Sequence, residues 1–195
     1  MFTMENYITL IFNYKFSRLG SMFRGLLNLL EADLSNLDFT VVEYTNSMFY
    51  GCEKLTSVNL NNINTPALIG MAFMFYDCFS LRQLDLSFFD ASKVSNMKAL
   101  FHRCKALRSI KLENFKTSEV LDMSYMFITC MSLTNLNLRN FKTSKVKDMN
   151  YMFYNCKNLV YLKLSSFDAS SVTNFNYMFA HDINLLSLNL KISKH

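Results

Sequence analysis

Glycine and proline are nearly absent from this chain, which holds 4 and 1 of them in 195 residues, where average usage would give roughly 14 and 10. Ordinary Gly and Pro turns therefore cannot be its main means of reversing direction, and a monotonous winding path is favoured. Tryptophan is missing altogether. No apolar run approaches the roughly 18 residues that a membrane-spanning helix needs; the stretch from Ile8 to Phe12 is broken by Thr9. No basic segment precedes that stretch, and Glu5 stands where a signal peptide favours Lys or Arg, so no standard signal peptide is expected. No cysteine precedes Cys52, so no lipid-attachment cysteine is expected either. Long runs of one charge are also lacking. The 20 basic and 15 acidic residues are interspersed and leave a net charge of +5, which does not imply nucleic acid as a partner.

What is present is apolar and periodic. The hydrophobic fraction of 51% is ample for a buried core. Met48-Phe49, Met74-Phe75, Leu100-Phe101, Met126-Phe127, Met152-Phe153 and Met178-Phe179 follow one another at a fixed interval of 26 residues. All five cysteines, Cys52, Cys78, Cys104, Cys130 and Cys156, stand four residues after that Met or Leu; the next copy has Asp182 there. Met22-Phe23 fits the same register as a divergent copy. Ile8, Ile11, Phe16 and Leu19 match it only loosely. Residues 1–21 thus read as a degenerate capping half-repeat, and 22–195 as an array of about seven copies, the last incomplete, because terminal repeats tend to be atypical.

Within a copy the apolar spacing changes period. Val146, Met149, Met152, Phe153, Cys156 and Leu159 are three or four residues apart, which predicts a short helix from about Lys145 to Cys156. Thr143 and Ser144 are its N-cap candidates, and Thr65-Pro66 occupy those columns in an earlier copy. Leu162 and Leu164 then alternate with Tyr161, Lys163 and Ser165, the period of a half-buried strand. The expected fold is an α/β solenoid, leucine-rich-repeat-like, with one short helix and one short strand per 26-residue repeat. Strands about 4.8 Å apart against helices about 8 to 10 Å apart would curve the parallel sheet, on the order of 30 Å long, with strands on the inner face.

The motif Leu159-x-x-Leu162-x-Leu164-x-x-Phe167, the Met-Phe and Cys columns and the elements Phe115 to Val120 and Phe141 to Val146 resemble the BspA-like leucine-rich-repeat family, the 26-residue repeat of bacterial surface proteins. The resemblance runs from Met22 to Leu190 and is strongest after Met48. It implies a non-catalytic array, often exported or lipid-anchored, with links to adhesion to host proteins.

The cysteine column reads first as packing, because free Cys is among the most buried residue types. Disulfides between copies would leave one of five thiols over. Metal binding would want ligands clustered in one loop, and these thiols are 26 residues apart. The Met and Phe columns read as core ladders that leave no cofactor cavity. His102, His181 and His195 have no matched Ser or Asp constellation and are expected to be exposed and incidental. With no nucleophile–base pair and no Gly-rich phosphate loop, neither an enzyme nor a cofactor is expected.

The columns that vary from copy to copy are the polar sides of the strands, which is where repeat arrays make specific surfaces. The candidate protein-binding face is Asn59, Asp85, Lys111, Asn137, Arg139, Tyr161, Lys163 and Asn189. Tyr161, Lys163, Arg139 and Lys111 lead it, since Tyr and Arg are over-represented among binding hot spots. The expected function is a non-enzymatic, protein-binding module with a protein partner and no membrane span. The alternative is a structural module that self-associates through the edge of its last strand, at Leu188 and Leu190.

Overall fold

The computed structural model describes residues 14–188; Ile8, Ile11, Asn189, Leu190 and His195 lie outside them. Six strands of three residues recur at the repeat interval: β1 (Glu31–Asp33), β2 (Ser57–Asn59), β3 (Gln83–Asp85), β4 (Ser109–Lys111), β5 (Asn135–Asn137) and β6 (Tyr161–Lys163). Each pairs in parallel and in register with its counterpart 26 residues away, as β1 with β2, β3 with β4 and β5 with β6. The result is three two-stranded sheets in a row, not one continuous sheet. A second line of parallel bridges runs through Arg18, Tyr44, Gly70, Asn96, Asp122, Asp148 and Asn174 and joins every successive coil. Gly70 is fixed by that line, because a Cβ there would come within 2.9 Å of the Tyr44 ring.

The expected helix is not there: the described residues contain no α-helix, so the α/β solenoid gives way to coils of short strands and turns. Residues 45–55 show the reason. Met48, Tyr50, Cys52 and Leu55 each donate a backbone hydrogen bond, 3.1 Å long, to the carbonyl three residues back. Between them, Thr45, Ser47, Phe49 and Gly51 donate instead to Gly70, Ala72, Met74 and Tyr76 of the next coil, at 2.7 to 3.0 Å. A helix would send those N–H groups four residues back; here every second one is spent on the neighbouring coil. Two left-handed residues per coil make this possible. Ser47, Phe73, Ala99, Tyr125, Tyr151 and Tyr177 form one column, and Gly51, Asp77, Arg103, Thr129, Asn155 and His181 the other, all at positive φ. Such residues cannot continue a right-handed helix. Consecutive three-residue turns return side chains to the same side every three or four residues, which is the spacing that suggested a helix.

Side chains do the work that Gly and Pro leave undone. Asp33, Asn59, Asp85 and Asn137 each accept the N–H two residues on, at 2.9 to 3.3 Å. Asn96, Asp122, Asp148 and Asn174 repeat the device on the second ladder, and Asp38, Asp90 and Asp168 at a third corner. These are Asx turns, in which a side-chain oxygen stands in for a backbone carbonyl.

The core lies inside the stack. Phe23, Phe49, Phe75, Phe101, Phe127, Phe153 and Phe179 form a column of stacked rings with centroids 5.1 to 6.0 Å apart. Phe115, Phe141 and Phe167 form another. Burying each such ring stabilises the stack by roughly 1.5 to 3 kcal/mol, which is why Phe is affordable to none but inward columns. Thr143 is not an N-cap: it is fully buried, and its Oγ1 accepts Asp168 N–H at 2.8 Å while donating to Asp168 C=O at 2.9 Å in the next coil. Thr117 clamps Lys142 in the same way.

Candidate functional site on the strand face

In each strand the middle residue faces in and its neighbours face out. Val58, Leu84, Leu136 and Leu162 are buried, so Ser57, Gln83, Ser109, Asn135 and Tyr161 line up as one outward column and Asn59, Asp85, Lys111, Asn137 and Lys163 as the other. Register thus gathers the candidate residues onto one face, but it does not leave them equally available.

Asn59 accepts Asn61 N–H and donates to Asp33. Asp85 accepts from Ser87, 2.6 Å from its hydroxyl, and is 2.8 Å from Lys111 Nζ. Burial resists ionisation of Asp85, but the bonds from Lys111 and Ser87 outweigh it and hold its carboxyl below the usual range; the same pair raises Lys111. Asn137 accepts both N–H and Nε of Arg139, at 3.3 Å each, so Arg139 folds over the turn that follows β5. Tyr161 and Lys163 are the freest of the group. Tyr161 is 55% exposed, and among the described residues no side chain bonds to Lys163. Asn189 lies outside the described residues.

The face is also hollow at the other end. A groove of about 640 Å³ crosses β1 to β4, floored by Ala32, Val58 and Leu84 and rimmed by Glu31, Asp33, Asn59, Asp85 and Lys111. Glu31, Asp33 and the floor are absent from the candidate set, although the step from Leu to Val to Ala down one column is legible in the sequence. Charge has a hidden order as well. Residues 91–116 hold seven cations against Glu113 alone, a surplus of six in a chain whose net charge is +5. Two of those cations, Arg103 and Lys111, reach Asp77 and Asp85 of the preceding coil. Counting charge per repeat, not per run, would have found this.

His102 corrects its expectation. Its side chain is 13% exposed and its ring stacks on Tyr76, which stacks on Tyr50. Burial, with Arg103 beside it, pushes its pKa down to about 4, so neutral His102 makes no ion pair with Asp77 3.8 Å away. The five thiols are free and buried. Among the described residues no group of side chains could hold a metal ion, and no helix is long and apolar enough to cross a membrane.

Two overlapping stretches, residues 17–135 and 71–194, match the model of a family described as a Mycoplasma protein of unknown function, DUF285. No curated protein matches the chain.

Proposed function

The chain belongs to the DUF285 family of 26-residue repeats, and from that premise we propose that it is a non-enzymatic protein-binding module whose strand face meets a protein partner. The observation that carries the reading is the contrast between columns. The inward ones repeat Leu, Phe, Met and Cys, whereas the outward ones change in every coil, from Asn59 to Asp85 to Lys111. A rigid frame presenting variable polar residues is how repeat arrays bind, and Tyr161 beside Lys163 offers an exposed aromatic and a free cation. At a finer level we propose kinship with the BspA-like surface repeats and a role in adhesion. Co-precipitation with wild-type protein and with a Tyr161→Ala/Lys163→Glu variant tests the reading. A partner held by wild type should be lost by the variant while its melting temperature stays unchanged; capture that survives both this variant and changes in the groove contradicts it.

A second reading, self-association, draws on the last described coil, where Ile183 and Leu186 are 75% and 74% exposed. Light scattering that finds a strict monomer at high concentration contradicts that reading.

A further inference from the structure

We propose that the groove across β1 to β4 takes a short extended peptide segment in which an apolar side chain is flanked by lysine or arginine, a deepening that rests on the protein-binding reading above. The groove exists because of one column. Where β3, β5 and β6 place Leu84, Leu136 and Leu162 at their centres, β2 has Val58 and β1 has only Ala32. Each step removes side-chain volume from the same line, and the face sinks toward β1. Its floor is apolar and suits an apolar side chain.

The rim decides the sign of the partner. Asp85 is neutralised by Lys111 at 2.8 Å, but the exposed Asp33 takes its bonds from Ser35 and Asn59, which are uncharged. Glu31, two residues away on the same strand and also exposed, has no ion-pair partner among the described residues. Two carboxylates without cations therefore flank the smallest floor residue. Arg82 and Arg108 stand just before β3 and β4 and do not line the groove. Complementary charge favours encounter with a cationic segment and rejects an acidic one.

The test uses the full chain, isotope-labelled for amide NMR, titrated with the blocked pentapeptide Ala-Lys-Leu-Lys-Ala and with its counterpart Ala-Glu-Leu-Glu-Ala. The lysine peptide should shift the amides of Ala32, Val58 and Leu84, bind more weakly as salt rises, and lose about tenfold in affinity in a Glu31→Gln/Asp33→Asn variant. Asn at position 33 keeps the oxygen that holds Ser35, so the turn survives. Ala32→Leu copies the residue that three other coils carry in that column; it should fill the groove and abolish binding with the fold intact. Equal binding of both peptides, undiminished binding by folded Ala32→Leu, or no shift with either peptide overturns the proposal. Shifts confined to β6 around Tyr161 and Lys163 also overturn it, while leaving the protein-binding reading in place.

Discussion

The thiol of Cys104 donates to the carbonyl oxygen of Phe75, 3.1 Å away and 29 residues earlier. That oxygen already accepts the N–H of Cys78, so both its lone pairs are used. The relation repeats from Cys52 to Phe23, Cys78 to Phe49, Cys130 to Phe101 and Cys156 to Phe127, at 3.0 to 3.2 Å. The cysteine column is therefore a line of weak donors between coils as well as a small filling for the core. Cys104→Ala should cost about 1 to 2 kcal/mol, from the lost bond and the small cavity. Cys104→Ser, which keeps a donor, should cost less; a serine variant less stable than the alanine one in urea denaturation would show that the bond contributes nothing.

Thiol reactivity follows from the same geometry. Burial raises every thiol above its ordinary value, Cys52 to about 11 and Cys78, Cys104 and Cys156 further. The thiolate is the reactive form, so the native protein should resist labelling at neutral pH, and Cys52 should react first as pH rises. Mass spectrometry of partly labelled protein reads the order; prompt labelling of all five would contradict the burial.

Thr129 sits at φ 58, a backbone conformation that costs a β-branched residue free energy. The same column holds Gly51 and Asn155, the residue types that tolerate it. Thr129→Asn should stabilise the protein by about 0.5 to 1 kcal/mol, or about 2 to 4 °C per kcal/mol in melting temperature for a chain of this size. A lower melting temperature would mean that the hydroxyl's contact with Asn155, at 3.4 Å, outweighs the strain.

Asp85 separates a turn from an ion pair. Asp85→Asn removes the charge that faces Lys111 but keeps the oxygen that accepts Ser87 N–H, and an exposed pair of this kind contributes about 0 to 1 kcal/mol. Asp85→Ala removes both, and should cost about 1 kcal/mol more. Equal stabilities of the two variants would contradict the claim that Asx turns replace Gly and Pro here.

Asp182 stands in the cysteine column, its Oδ1 2.7 Å from Cys156 N–H and its Oδ2 buried without a partner. Burial pushes its pKa up from 3.8 to about 7. A carboxyl raised on folding favours the folded state while protonated. That contribution is fully present below 3.8 and is lost as pH rises through about 7. Asp182→Asn keeps the bond to Cys156 and should raise the melting temperature at about pH 8 while changing little at about pH 4. Equal effects at both pH values would contradict the shift.

The repeat, its interval, the inward columns and the position of the strands were all legible, because a fixed period of Leu, Phe, Met and Cys can only be a stacked core. The helix was not, because three-residue turns and helices share one apolar spacing. The warning lay in the composition of the same segment: Ser124, Tyr125, Phe127, Ile128 and Thr129 are poor helix formers, and Gly25 and Gly51 recur at one column. Hydrogen bonds between coils leave no mark on a single sequence, so the clamp of Thr143 on Asp168 could not be foreseen. The candidate face was legible as a face. Which residues on it are already held, such as Asp85 by Lys111, needed coordinates.

Far-UV circular dichroism of the purified protein tests the central claim most directly. A stack of turns and short parallel strands, with N–H groups alternately bonded within and between coils, gives a spectrum without the double minimum of an α-helix. A helical spectrum of the size that one helix per coil demands would contradict it.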